Sequence, residues 1–255
     1  DTQAFYVIPA DVSAYQADVP GEYPATYLVQ AWDQVGAYWY ADCTVTVTEP
    51  APVTENGHEF VDLGLPSGIM WATCNIGAED NTGLGTLFAW GETAPKDKYN
   101  ESTYAYYTLV TQGDNTVRKI TKYCTDSSNG TVDGKTRLEM SDDAARVNWG
   151  GRWRIPTAAE WQELLDNTSL NGSTFSRSFV NKTTGASVSF PLGGYWTDDH
   201  LLHGNAHYYW SSDVYSSNCW DAYALRIVRS PNTLDIYNEI RVWGLPVRAV
   251  FDPKD

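Results

Sequence analysis

Residues 150–165 read GGRWRIPTAAEWQELL, and they carry the one helix signal in the chain with a marked beginning. Thr157, followed three residues later by Glu160, is a capping box in which each side chain bonds the other residue's backbone N–H. Pro156 favours an extended Ile155, so a strand-like run is expected to end there. Trp161, Leu164 and Leu165 fall at i, i+3 and i+4, one apolar stripe about two turns long. Asp166-Asn167 is the expected stop, since Asn tolerates the left-handed conformation. The pattern predicts a short amphipathic helix docked on a larger surface, with Glu160 a cap and not a catalyst.

The 255 residues are enough for one large domain or two smaller ones. Seventeen Tyr and 11 Trp against two Met favour strands and exposed aromatic contact surfaces. A formal charge of −15 opposes nucleic acid and anionic lipid as partners. It promotes solubility and names no partner of its own. No run approaches the roughly 18 apolar residues of a membrane span. The chain begins at Asp1 without Met, which is expected of a processed or trimmed product whose signal peptide has gone. Cys43, Cys74, Cys124 and Cys219 form no C-x-x-C pair, so zinc is not expected and disulfides are permitted.

Residues 1–50 hold three strand candidates, AFYVIP, ATYLVQAWD and YWYADCTVTVTE, separated by Pro and Gly clusters. In the last of them Cys43, Val45 and Val47 alternate with Thr44, Thr46 and Thr48. Fifty residues fall short of the ~7 strands of a β-sandwich, so either the first half of this domain has been lost or it borrows strands from elsewhere. A Pro-rich polar run from Glu49 to Gly57 follows, and residues 51–57 are assigned as linker. From His58 to Asp255 a second helix is expected at SDDAARVNWGG, with Ser141 as N-cap and Gly150-Gly151 as its end. Beyond residue 170 strands and turns dominate. A few helices beside many strands predict an α+β class for this part.

In the same segment, NWGGRWRIPTAAEWQELL resembles the R-(L/I/M)-P-T-x-x-E-W run of proteins with the C-type-lectin fold. Formylglycine-generating enzymes, many Bacteroidetes surface proteins and the variable proteins of diversity-generating retroelements share it. EFVDLGLPSGIMWATCNIGA, GTLFAWGET, DDAARVNWGGRWRIPTAAEW, YYWSS and RVWGLPVRAV look like the Bacteroidetes group in order and spacing. The resemblance covers most of residues 58–251 and implies a C-type-lectin-like domain. ADCTVTVTE is similar to the last strand of bacterial Ig-like domains in surface proteins, which implies a partial, Ig-like adaptor over residues 1–50. Together they imply a secreted or surface-anchored protein, such as an adhesin or pilus-tip subunit.

Several chemistries then compete. The formylglycine-generating enzymes need a close cysteine pair late in the chain to hold copper, and here Cys219 stands alone after residue 124. Calcium-dependent sugar binding in the lectins needs a Glu-Pro-Asn or Gln-Pro-Asp triplet, and SPN at 230–232 lacks the carboxylate. His200, His203 and His207 would share a helix face, with Asp198 or Asp199 beside them, but Gly204-Asn205 interrupts that helix. A polar loop is the expected reading there, and no metal is expected. Asp142-Asp143 and Glu160-Glu163 sit at helix starts, where capping accounts for them better than glycoside hydrolysis. No catalytic residue and no cofactor are expected.

The stretch 213–243 remains, rich in side chains that anchor interfaces. Leu225, Ile227, Leu234 and Ile236 suit the core. By resemblance to the variable segment of the retroelement proteins, the ligand-binding set is Asp213, Tyr215, Cys219, Trp220, Asp221, Ala224, Arg226, Val228, Asp235, Tyr237, Asn238, Glu239, Ile240, Val242 and Trp243. An Asn codon randomised at its two adenines cannot yield Trp or Glu. Trp220, Glu239 and Trp243 are therefore fixed positions, or the chain is a non-diversified relative. The resemblance also pairs Cys74 with Cys124, leaving Cys43 as an apolar strand residue and Cys219 as a surface thiol. The expected function is non-catalytic recognition of a protein or glycan ligand, with calcium-independent carbohydrate binding as the alternative. Other pilus or surface subunits are expected to meet the N-terminal strands; neither nucleic acid nor membrane insertion is.

Overall fold

The computed structural model describes residues 5–9, 21–30, 38–47, 53–172, 175–202, 204–229 and 233–255. The chain divides into two compact units, residues 1–52 and 53–255. In the first, β1 (Phe5–Pro9), β2 (Gly21–Gln30) and β3 (Tyr38–Val47) form one antiparallel sheet in that order. Pro24 pairs with Thr44 and Glu22 with Thr46, and all four are exposed, so one side of this ladder is polar as the alternation predicts. The side chain of Cys43 lies outside the described residues, as do His203 and the SPN triplet.

The second unit opens inside the segment assigned as linker. β4 (Thr54–Glu55) pairs with β5 (His58–Asp62), which continues through β6 (Met70–Asn75) to β19 (Arg248–Phe251) at the far end of the chain. Glu55 takes a two-point grip on Arg152, at 3.2 and 2.7 Å, and the Asn56 amide donates to the Trp149 carbonyl. Gly151 makes this approach possible. Its φ is +56°, and a Cβ there would meet Asn56 and Glu55 at 2.9 Å. Residues 53–57 are therefore a structural edge of the second unit and not a tether.

The remaining strands are short: β7 (Leu87–Phe88) with β18 (Leu245–Pro246), the hairpin β8 (Tyr107–Gln112) and β9 (Asn115–Ile120), and a sheet of β10 (Thr168–Gly172), β11 (Ser176–Asn181) and β12 (Ser187–Pro191). The hairpin β13 (Tyr195–Thr197) and β14 (His200–Leu202) precedes the sheet of β15 (Ala206–Val214), β16 (Asp221–Val228) and β17 (Thr233–Ile240). Two α-helices, α1 (Ala144–Trp149) and α2 (Ala158–Asn167), stand against nineteen strands among the described residues. This overturns the α+β expectation: the molecule is mostly β, built from several small sheets. The physical reason is local. Both helices are brief: α1 stops at Gly150-Gly151, and α2 runs directly into the strand β10.

Helix α2 forms as its residues dictate. Thr157 Oγ1 accepts the Glu160 N–H at 3.1 Å, and the Glu160 carboxylate accepts the Thr157 N–H at 2.8 Å. Arg154 holds the same carboxylate by two bonds of 2.8 and 2.6 Å, which explains the arginine before Ile-Pro. Trp161 and Leu164 are buried. The helix ends at Asn167, though not by a left-handed Asn: Thr168 is extended and its hydroxyl donates to the Leu164 carbonyl at 2.6 Å. In α1 the N-cap is Asp143 rather than Ser141. Its carboxylate accepts the N–H groups of Ala145, Arg146 and Ile155. Burial raises this carboxyl to about 6, against the pull of those three donors.

Two buried clusters fill the unit. One gathers Trp71, Trp161, Leu164, Phe179, Phe190, Tyr209, Leu225 and Ile227. The other gathers Phe88, Trp90, Trp153, Trp210, Ala222, Ala224 and Leu245. Neighbouring residues of β15 and β16 point into different clusters, so this sheet is packed on both sides over part of its length. Arg248 and Arg241 are both fully buried. Arg248 donates to Asn75, Ala72, Thr73 and Ser189, and burial pulls its pKa down to about 10, so it stays charged at neutral pH.

Candidate ligand-binding face

The face is built by the register of three strands. Tyr208, Arg226 and Asp235 lie side by side across β15, β16 and β17, and Trp210, Ala224 and Tyr237 form the next row. Ala222 and Glu239 pair one row further on. On the reverse side Leu225 and Ile227 are fully buried, with Leu234 and Ile236 packed beside them. The sheet is therefore fixed from behind by apolar burial, and its front side chains are set by strand geometry.

The open end of this front is preorganised. The Arg226 guanidinium meets Asp235 at 2.8 and 2.5 Å and lies 3.7 Å from the centre of the Tyr237 ring. Tyr237 is 41 % exposed. Beside it Trp243 stacks on Tyr195 with centroids 4.9 Å apart and 23° between planes, and Tyr195 meets Tyr208 edge-on at 5.5 Å. The Tyr208 hydroxyl donates to the Glu239 carboxylate. Glu239 is only 6 % exposed, and no lysine or arginine pairs with it among the described residues. Burial above all, then the negative charge of Asp221, raises its pKa to about 7; the Tyr208 hydrogen bond and the Arg226 charge oppose this.

Of the fifteen residues expected to bind, the structure brings Arg226, Val228, Asp235, Tyr237 and Glu239 to this front, with Trp243 beside them. Asp221, Asn238 and Ile240 share the opposite side at the far end of the sheet. There the Asn238 amide donates to Asp221 at 2.9 Å and Ile240 is exposed. The others do structural work. Asp213 accepts from Arg137 at 2.6 Å and from the Ala158 N–H at 2.9 Å, at the start of α2. Tyr215 lies edge-on to Tyr223. Trp220 donates to Asn129 and packs near Tyr107. Ala224 and Val242 are buried.

Cys219 is a further correction. It forms a disulfide with Cys124, and Cys74 is free, half-buried, with burial pushing its thiol up. The expected Cys74–Cys124 bridge and the surface thiol at Cys219 are both overturned. Arg241 braces the bridge: its guanidinium donates to the Cys219 carbonyl at 2.8 Å and to the Tyr104 hydroxyl at 2.9 Å, and lies 4.5 Å over Trp90. Two of the three histidines lie in strands and not in a loop. His200 sits in β14 and pairs with Asp199, whereas His207 sits in β15, buried, accepting the Gly194 N–H. Among the described residues no group of His, Cys, Asp and Glu has the geometry to hold a metal. Asp142 is engaged by Lys122 and Tyr123, and Glu163 by Ser67, so the acidic pairs are accounted for.

Sequence reasoning missed Tyr195 and Tyr208. Tyr208 was in view as part of YYWSS, and its alternation with the buried Tyr209 would have set it on the front. Comparison with protein-family models, with curated proteins and with solved structures returns no match for this chain.

Proposed function

We propose that the chain is a non-catalytic ligand-recognition protein of a bacterial surface or pilus tip, exported and working outside the cell. Its binding face is the front of the β15–β17 sheet, centred on Arg226, Asp235 and Tyr237 and walled by Trp243, Tyr195 and Tyr208. One observation carries this reading. A half-buried arginine stacked on an exposed tyrosine is locked by a carboxylate on a sheet whose reverse side is buried. Such rigid aromatic and guanidinium groups lose little entropy on binding, as hot-spot residues do. The resemblance of residues 213–243 to the variable segment of retroelement proteins supports the same assignment.

A protein or peptide is the favoured ligand. Sugar rings stack on open aromatic faces, and here one face of Tyr237 is covered by Arg226 and one of Trp243 by Tyr195. Calcium-independent glycan binding remains the second reading, carried by the exposure of Tyr237. The N-terminal sheet is assigned as adaptor to other surface subunits. Selection from a displayed peptide library, beside a glycan array, separates the readings when wild type and Arg226→Ala are screened in parallel. Ligands that bind wild type and not the variant are expected among the peptides. Ligands that bind both equally would place recognition elsewhere.

A further inference from the structure

Away from that front, a cleft of about 500 Å³ opens between α1 and the first turn of α2. This is within the size of small-molecule sites. Arg137, Arg146 and Arg154 line it, together with Asp143, Glu160 and Ser212. The carboxylates are already committed. Glu160 is clamped by Arg154 and the Thr157 N–H, and Asp143 accepts three backbone N–H groups. Arg137 is paired with Asp213.

Two donors are left over. Arg146 has no carboxylate partner among the described residues; it donates to the Gly151 carbonyl, and its Nε is buried without an acceptor. Ser212 is 4 % exposed. Its N–H donates to the Pro156 carbonyl and its own carbonyl accepts from Leu138, so the backbone is fixed while the hydroxyl has no partner among the described residues. Buried polar groups are nearly always hydrogen-bonded, and two unpaired ones in the wall of one cleft call for an occupant. The first-turn N–H groups of Ala158 and Glu160 are already taken by Asp213 and Thr157, which leaves Arg146 and Ser212 as the donors of this wall. In a chain of net charge −15 this local arrangement, and not the overall field, must attract an anion.

We propose that this cleft binds a small oxyanion, a carboxylate or phosphate group seated on Arg146 and the Ser212 hydroxyl. The test is calorimetric titration of the full chain with inorganic phosphate and with succinate, against sodium chloride at matched ionic strength. Saturable binding of either probe, with a rise in Tm, is expected. Ser212→Ala removes a hydroxyl that bonds nothing in the protein, so it should melt as wild type does and bind at least tenfold more weakly. Arg146→Gln should weaken binding as much, while Arg226→Ala should leave it unchanged. Absence of saturable binding for both probes overturns the site. So does unchanged affinity in Ser212→Ala, whatever Arg146→Gln does, because the hydroxyl is what distinguishes this cleft from other arginines.

Discussion

The two halves of β16 make an instructive pair. Ala222 and Ala224 point to the same side of the sheet as Arg226 and Val228. The alanines are fully buried, under a cluster that includes Trp210, Val214 and Leu245, whereas Arg226 and Val228 are half-exposed. Alternation assigns a side chain to one side of a sheet; whether anything lies over that side is a tertiary fact. Side-chain size is the local sign of it. Along β16 the alanines stand where another layer closes over the strand, and Arg226 stands where it does not. The proposed recognition face therefore begins at Arg226 rather than at Asp213.

The closed half should be the more costly to disturb. Cys219, just before β16, is bound to Cys124 across a separation of 95 residues. In the chain-entropy account such a bridge contributes about 4–5 kcal/mol. The Cys124→Ala/Cys219→Ala double variant should lose that much in urea denaturation, and a peptide map of the native protein should contain the Cys124–Cys219 linkage. A Cys74–Cys124 linkage instead would remove the brace and shift the contrast between the halves. Next in size is Trp161→Ala. Trp161 is fully buried, lies 4.9 Å from Trp71, and donates to the Trp210 carbonyl at 3.2 Å. A loss of about 3–5 kcal/mol is expected. A variant with unchanged Tm and lost binding would put α2 in the site.

Much of this arrangement was legible. The Thr157/Glu160 capping box and the Leu225/Ile227 alternation depend on neighbours in the chain, and both stand as read. Partners distant in sequence were not legible. Nothing near Cys124 distinguishes Cys74 from Cys219, and the choice is made when β6 and the turn before β16 take their places. SDD was read with Ser141 as the cap, and the burial of Asp143 beside Ile155 moved the cap to Asp143. Tyr195 reaches the face only through the stacking of Trp243 upon it. The resemblance to a C-type-lectin fold carried an α+β expectation that the brevity of both helices did not meet.

Glu239 tests the boundary between the halves, because it pairs with buried Ala222 yet lies on the proposed binding front. Its carboxyl has a folded pKa of about 7 against an ordinary 4.5. Between those values the folded chain holds a proton that the unfolded chain releases. The stability from this group is complete below about pH 4.5 and is lost as pH rises through 7. A rise of that size corresponds to at most about 3 kcal/mol. Tyr208, Arg226 and Asp221 are the groups that face it. Glu239→Gln keeps an acceptor for the Tyr208 hydroxyl and carries no charge to bury. It should match wild type in urea at pH 4 and exceed it at pH 8.5. Equal stability at both would mean that the boundary is wetter than the structure shows.

The smallest expected effect on folding belongs to the open half, and it sharpens the comparison most. Arg226→Ala removes a partly exposed ion pair with Asp235 and a stack on Tyr237. Exposed pairs of this kind contribute about 0.2–1 kcal/mol, and an exposed cation–π contact adds about 0.5–1 kcal/mol. Tyr237 stands on the side of the sheet away from Leu225 and Ile227, so Tyr237→Ala leaves that core untouched. Each variant should therefore melt within a few degrees of wild type. On binding the order reverses: anchors of this type cost about 2 kcal/mol or more when truncated, a loss of at least tenfold in affinity. Combining the two substitutions should cost less affinity than the sum of the single losses, because Arg226 holds the ring that the ligand meets. Strictly additive losses would mean that the two side chains act separately. A large fall in Tm for either would show that the open half is covered after all.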